Sequence, residues 1–115
     1  MKEIAVPPIR VLIICSMGFS SSLIEQNVLR EAKTRGIALE FLAVGTGSIE
    51  SVIQDFGPHT ILLAPQATYL KSAVAQACER LAITYTVIDY FTYATADGRK
   101  VLDTIIATTG PIVTR

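Results

Sequence analysis

The chain has 115 residues, of which ten are basic and ten acidic, so its formal net charge at pH 7 is zero. Without a cluster of Lys and Arg, no nucleic acid is expected as a partner. Half of the residues are apolar, but no apolar run approaches the length of a membrane span and the first residues lack a secretory signal pattern. We therefore expect one cytoplasmic domain, without direct membrane insertion, whose two cysteines are free thiols.

Four short apolar stretches have the composition of buried β-strands. They cover about Ile9–Cys15, Ile37–Val44, Thr60–Ala64 and Thr84–Ile88. The first stretch shows no alternation of polar and apolar residues, which is typical of a strand that is covered on both faces of a parallel sheet.

Helical patterns follow these strands. The first covers about Ser21–Arg35 and stops at Gly36, the second covers Ile49–Phe56, and the last covers about Arg99–Thr108. The third follows the turn at Pro65-Gln66, and its predicted inward face consists of Leu70, Ala73, Val74, Ala77, Cys78 and Leu81. Because Cys78 lies on this apolar face, we assign it to the core.

Strands that alternate with helices predict the α/β class. We expect a single-domain, three-layer sandwich with a four-stranded parallel sheet in the order 2-1-3-4 and helices on both faces. We place this domain at residues 9–108, between an extended lead-in (1–8) and a frayed C-terminal tail (109–115). The strand order creates a switch point between strands one and three, where ligands bind in open α/β sheets.

The end of the first strand carries the strongest functional signal. Cys15 closes the strand, Gly18 permits a tight turn, and Ser20, Ser21 and Ser22 open a helix. Free N–H groups and the helix dipole favour an anion there, and they favour the thiolate form of a cysteine at the rim. A cysteine after an apolar run is more often an inert core residue. The run of loop and cap formers after Cys15 instead favours a nucleophile beside a phosphate cradle.

The sequence lacks the motifs of several other phosphate enzymes. It has no G-x-x-x-x-G-K-[ST], which argues against a P-loop nucleotidase. A phosphatase with the pattern Cys-x5-Arg would carry arginine at position 21, where Ser21 stands. Without that bidentate clamp, reversible phosphoryl carriage is favoured over hydrolysis. No Cys/His cluster has metal-ligand spacing, so we expect neither a metal nor a cofactor.

Residues after the other strands are further candidates. Gln66 and Tyr69 are expected to contact the phosphate or a partner, with capping of the turn as the alternative for Gln66. Asp89 is expected to cap, because a carboxylate would repel a phosphothiolate. The loop aromatics Tyr90, Phe91 and Tyr93 are divided between core packing and a docking surface. His59 precedes the third strand, so it belongs to the opposite edge from Cys15 and is rejected as a phosphorylation site.

The stretch Cys15-Ser16-x-Gly18-x-Ser20-Ser21-Ser22-Leu23 resembles the phosphocysteine loop of the IIB subunits of bacterial phosphoenolpyruvate-dependent sugar phosphotransferase systems, of the lactose/cellobiose (chitobiose) class. Leu62–Tyr69, Val87–Asp89 and the stretch from Tyr93 to Leu102 agree in order and spacing, so the resemblance spans about Arg10–Ala107. One departure is Ala94, where relatives often carry glycine.

The resemblance implies a phosphoryl relay. Cys15 would accept a phosphoryl group from phosphohistidine of a phosphorylated IIA protein and pass it to a sugar held by the membrane IIC permease. That sugar would be a β-linked disaccharide such as cellobiose, chitobiose or lactose, and the chain would meet IIC transiently at the inner face of the membrane. The implied phosphate-binding residues are Ser16, Met17, Gly18, Phe19, Ser20, Ser21 and Ser22. The implied fold resembles low-molecular-weight tyrosine phosphatases.

Two other functions remain open from the sequence. One is a cysteine-dependent phosphatase or arsenate-reductase-like enzyme of similar topology, with Asp89 as its general acid. The other is a non-catalytic module that senses phosphate through the same loop.

Overall fold

The computed structural model of the chain describes residues 8–15, 22–45 and 49–109. The predicted lead-in (apart from Pro8), the loop at 16–21, the turn at 46–48 and the tail from residue 110 lie outside these ranges. The strands are β1 (Ile9–Ile14), β2 (Leu39–Val44), β3 (Thr60–Leu63) and β4 (Thr84–Val87). The α-helices are α1 (Ser22–Thr34), α2 (Ile49–Phe56), α3 (Lys71–Leu81), α4 (Tyr90–Ala94) and α5 (Gly98–Thr109), and a 3₁₀ segment (Pro65–Leu70) precedes α3.

The four strands form one parallel sheet in the order β2-β1-β3-β4, as the sequence predicts. Strand β1 lies between β2 and β3, with Ile14 in register with Val44 on one side and Leu63 on the other. Residues 11–14 are fully buried, which explains why β1 carries no polar alternation. All four carboxyl ends therefore meet at one edge of the sheet.

Helices cover both faces of the sheet. On one face, the odd-numbered residues of β1 from Ile9 to Cys15 pack in one buried cluster with α1 and α5, chiefly with Ile24, Val28, Leu102 and Ile105. On the other face, Leu12 and Ile14 pack against Ile53 of α2 and Val74, Ala77 and Cys78 of α3. The three-layer prediction is confirmed, and Cys15 and Cys78 lie on opposite faces.

Three details of the predicted helices are wrong. The stretch after Asp89 is the short helix α4 rather than a loop, and the turn at Pro65 continues as a 3₁₀ segment before α3 begins. The buried face of α3 is narrower than predicted, since Ala73 is exposed and Leu81 is 37 % exposed. Other boundaries differ by one or two residues, and α5 extends to the buried Thr109. In the described ranges, each helix lacks the length or the apolar character that a membrane crossing requires.

Helices α1 and α5 approach each other very closely at Gly98. A Cβ atom placed on Gly98 would lie 2.5 Å from the backbone carbonyl carbon of Asn27. The Asn27 side chain donates a hydrogen bond from Nδ2 to the Ala96 carbonyl oxygen at 2.7 Å. This contact fixes the turn between α4 and α5 against the middle of α1.

Candidate functional site

The site is built where the central strands end. Hydrogen bonding continues one residue past β1, β3 and β4, from Cys15 N to Val44 O (3.0 Å), from Ala64 N to Ile14 O (2.9 Å) and from Ile88 N to Leu63 O (2.9 Å). The backbone of Cys15 is therefore hydrogen-bonded to β2 on one side of β1. On the other side, β1 accepts the hydrogen bond from Ala64, which follows β3. This rigid edge is the predicted switch point between β1 and β3.

The thiol of Cys15 faces the α1/α5 side of the sheet. Its Sγ donates a long hydrogen bond of 3.8 Å to the carbonyl oxygen of Val44, and the residue is 1 % exposed. Cys78 is similarly buried, at 3 %, and burial raises the pKa of its thiol, which keeps it protonated and inert. The two cysteines do not differ in burial, but they differ in position. Cys15 directly follows the central strand β1, whereas Cys78 lies within α3.

The predicted phosphate-binding residues 16–21 lie outside the described residues. The structure places the first residue of α1 at Ser22, one residue later than predicted. Helix α1 begins seven positions after Cys15, at the carboxyl edge where β1 ends. Its N-terminal dipole end is therefore directed towards the cysteine side of the sheet.

Gln66 and Tyr69 lie on the 3₁₀ segment that follows β3, at the same edge as Cys15. The segment is closed by the Thr68 hydroxyl, which donates to the Pro65 carbonyl oxygen at 3.1 Å. The exposed Gln66 side chain makes no hydrogen bond with any residue in the described ranges, so the capping alternative for Gln66 finds no support. Tyr69 is 69 % exposed.

Asp89 caps α4, as the sequence predicts. Its carboxylate accepts two hydrogen bonds from Thr92, one from the hydroxyl at 2.6 Å and one from the backbone N–H at 3.0 Å. These bonds hold the pKa of Asp89 below its ordinary value, with a smaller contribution from the charge of Lys100. The carboxylate is therefore ionised and already engaged at neutral pH. The Asp-x-x-Thr spacing was a signal in the sequence from which α4 could have been predicted.

Helix α4 crosses the carboxyl edge of the sheet. It begins beside β4, yet the turn after it is hydrogen-bonded to α1. The crossing creates an open groove of about 230 Å³ that is lined by Leu23, Gln66, Tyr90, Tyr93, Ala94 and Ala96. Tyr93 is buried at 7 % exposure, whereas Tyr90 and Phe91 are 70 % and 71 % exposed. The aromatic run is thus divided as predicted, one ring to the core and two to solvent.

His59 lies at the opposite edge from Cys15, as predicted. Its backbone N–H donates to Arg10 O at 2.7 Å, and its Nδ1 accepts the Arg10 N–H at 2.9 Å. Partial burial and the nearby charge of Arg10 lower the pKa of His59. Because Nδ1 is already an acceptor, the imidazole is held neutral as part of the β1–β3 junction.

We expect this histidine to make folding stability depend on pH. Its pKa is lower in the folded chain than the unfolded value of about 6.5, so the unfolded state binds more protons below neutrality. The free energy of unfolding should therefore fall as pH drops from 7.5 to 5.5. Urea unfolding at the two pH values checks this, with His59→Gln as the comparison because it removes the chain's single histidine. An equal decrease in both proteins would contradict the assignment.

Comparison with known proteins identifies the same architecture and the same family. No protein-family model matches the chain. An oligo-β-mannoside-specific EIIB component of the phosphotransferase system (PTS) from Bacillus subtilis is 31 % identical over 91 residues, which cover 79 % of this chain and 86 % of the relative. A cellobiose-specific EIIB component from Lactococcus lactis is 30 % identical over 95 residues, covering 80 % and 88 %. The lactose-specific IIB domain structure from Streptococcus pneumoniae superposes with a TM-score of 0.78 at 17 % identity, over 89 % of this chain and 98 % of that one.

The fold is therefore that of IIB domains, a parallel α/β sandwich like the low-molecular-weight phosphatases, with a cysteine at the end of its central strand. The chain belongs to the EIIB components of the phosphoenolpyruvate-dependent sugar phosphotransferase system. Proteins of this family are sugar phosphotransferases, so the resemblance seen in the sequence is confirmed.

Proposed function

We propose that Cys15 carries the phosphoryl group in this chain. The observation that carries the proposal is its position, at the carboxyl end of a central strand and beside the start of α1. A nucleophile needs an edge where a donor can approach and where backbone N–H groups and a helix dipole favour negative charge. Cys78 lies neither at the carboxyl edge of the sheet nor at the start of a helix, since it is within α3 on the opposite face of the sheet.

The transfer itself is a pair of in-line displacements. In the first, the sulfur of Cys15 attacks phosphorus, an S–P bond forms, and the N–P bond of the donor phosphohistidine breaks. The imidazole nitrogen leaves with the bonding electron pair, and a proton equivalent to the one lost by the thiol neutralises it. In the second, a sugar hydroxyl attacks phosphorus, the S–P bond breaks, and the hydroxyl proton is lost as the thiol is restored. Positioning and charge stabilisation supply the catalysis.

The residues from Ser16 to Ser22 are proposed as the phosphate cradle. Backbone N–H groups, serine hydroxyls and the N-terminus of α1 suit three phosphoryl oxygens without supplying a full positive charge. Such a cradle holds the group while leaving it transferable. Gln66, whose side chain is exposed on the neighbouring 3₁₀ segment, is proposed to contact the phosphoryl group or the donor.

The phosphatase alternative is weakened by Asp89. A general acid must be protonated when the leaving group departs. The Asp89 carboxylate instead accepts both hydrogen bonds from Thr92, and these bonds lower its pKa. Asp89 is therefore suited to fixing α4 rather than to donating a proton.

We infer the partners and the substrate of this chain from its family. EIIB components work with IIA and IIC proteins, and we infer that this chain takes its phosphoryl group from IIA and meets sugar bound to a membrane IIC permease. Relatives are specific for cellobiose and for oligo-β-mannosides, which supports a β-linked disaccharide as the sugar. The chain would act in the cytoplasm and reach the inner face of the membrane through IIC, with residues 9–108 as its phosphotransfer domain.

Intact-mass spectrometry tests the proposal. The chain is incubated with phosphoenolpyruvate, the general phosphotransfer proteins and a cognate IIA, and one added phosphoryl group is the expected result. Release of phosphate from an aryl ester without an adduct would replace the relay with the phosphatase alternative. The absence of both, with several IIA proteins tried, would leave a binding module and overturn the proposal.

The exposed aromatics of α4 predict a docking defect. Phe91 is 71 % exposed and adjoins Tyr90, which lines the groove. Phe91→Ala should therefore raise the KM for phosphorylated IIA by about tenfold, or about 1.4 kcal/mol, as for a residue that contributes to an interface, without changing kcat or stability. Leu81→Ala is the matched control, because Leu81 is an exposed apolar residue (37 %) at the far end of α3. Steady-state transfer assays on both variants check the difference, and equal KM values would contradict the docking assignment.

A further inference from the structure

The phenol of Tyr93 is a buried polar group at the carboxyl edge of the sheet, and the proposed phosphoryl transfer assigns it no role. Tyr93 is 7 % exposed, although its neighbours Tyr90 and Phe91 on the same short helix are largely exposed. The position of α4 is fixed at one end by the Asp89 cap and at the other by the bond from Asn27 to Ala96. A tyrosine held inward in this way presents a fixed hydroxyl, and such hydroxyls usually serve as hydrogen-bonding groups.

Tyr93 and Cys15 share both a face and an edge of the sheet. They belong to the same buried cluster, on the side covered by α1 and α5. Cys15 ends β1 at the carboxyl edge, and Tyr93 lies on the helix that crosses this edge from β4 to α1. The shared cluster shows that both side chains are buried on the same side of the sheet.

The groove beside Tyr93 reaches the first turn of α1, whose first residue, Ser22, is the last residue of the proposed cradle. Tyr93 lines the groove together with Leu23 in the first turn of α1 and Gln66 after β3. Leu23 directly follows the proposed phosphate-binding residues in sequence. The groove therefore opens between the first turn of α1 and the segment that follows β3, the strand that pairs with β1.

We propose that the Tyr93 hydroxyl donates a hydrogen bond to the phosphoryl group while Cys15 carries it, an inference that rests on the proposed function of Cys15. A hydrogen bond to an anionic acceptor is about twice as strong as one between neutral groups. Because a phenol carries no positive charge, it orients the phosphoryl group without the full positive charge of an arginine. The group remains bound to sulfur, yet can still pass to a sugar.

The test is Tyr93→Phe, which keeps the ring and removes only the hydroxyl. We expect kcat for phosphoryl transfer from IIA to fall by about 10- to 100-fold, the loss expected for one hydrogen bond to a charged group. The KM for IIA should be unchanged. The ³¹P resonance of phosphocysteine should also shift, which a purely structural role of Tyr93 would not cause. Tyr85→Phe, on β4 and packed against the opposite face of the sheet, should leave both measurements as in the wild type.

A second measurement needs no variant. In the wild-type chain labelled with ¹³Cζ-tyrosine, phosphorylation should shift the resonance of Tyr93 more than those of the other three tyrosines. It decides the matter if Tyr93→Phe fails to fold. An unshifted Tyr93 resonance, or wild-type kcat and ³¹P shift in a folded Tyr93→Phe, would overturn the inference. Failure of the wild type to form phosphocysteine would overturn the proposed function instead.

Discussion

Replacing Cys15 with serine should reduce phosphoryl transfer to the sugar by at least about a thousandfold, because a hydroxyl is a much weaker nucleophile than a thiolate at neutral pH. The fold should survive the change. The two side chains are similar in volume, and a serine hydroxyl can still donate to the Val44 carbonyl oxygen that now accepts from Sγ. The adduct in intact-mass spectra and the rate of sugar phosphorylation are the two measurements.

Cys78→Ala is the matched control for this variant. Both cysteines are almost fully buried, so each substitution alters a packed site, at a cost of about 1–2 kcal/mol in stability. Only Cys15 lies at the carboxyl edge of the sheet, whereas Cys78 packs on the opposite face. Transfer retained in Cys15→Ser, or lost in a folded Cys78→Ala, would refute the assignment of Cys15 as the carrier.

The sequence predicted the sheet correctly because burial on two faces is visible in composition. The run from Val11 to Ile14 has no polar residue, and these residues are fully buried in the second position of the sheet order. Gly36 could also be recognised as a helix stop, and its backbone has the positive φ of 71° that such a stop uses. Strong local signals of this kind do not depend on distant contacts.

Helix α4 could not be predicted from periodicity, because five residues are too few to show a helical repeat. Without the helix, the sequence offers no means of deciding which of Tyr90, Phe91 and Tyr93 turns inward. That choice depends on the Asp89 cap and on the Asn27 side chain, which lies 69 positions before the Ala96 carbonyl that it binds. The groove and the role proposed for Tyr93 are therefore properties of tertiary structure.

Adding a methyl group at Gly98 should destabilise the chain more than the same change at Gly45. In Gly98→Ala, the new Cβ would lie 2.5 Å from the carbonyl carbon and 2.6 Å from the carbonyl oxygen of Asn27. These are backbone atoms, so a side-chain rotation cannot relieve the clash, and α1 and α5 must move apart. We expect a loss of about 2–3 kcal/mol, which corresponds to a Tm lower by about 8–12 °C for a domain of this size.

Gly45→Ala is the matched control for Gly98→Ala. Gly45 does not have a positive φ, and among the residues that the structure describes the nearest atom to a Cβ placed there is Cys15 O at 4.0 Å. The Tm of Gly45→Ala should therefore change little. Because the α1–α5 contact also anchors the turn after α4, separation of these helices should loosen Tyr93 as well. A Gly98→Ala variant that still folds should therefore have a lower kcat for phosphoryl transfer than the wild type. Equal Tm values for the two alanine variants would show that the helices have room to separate, and that Gly98 does not set their distance.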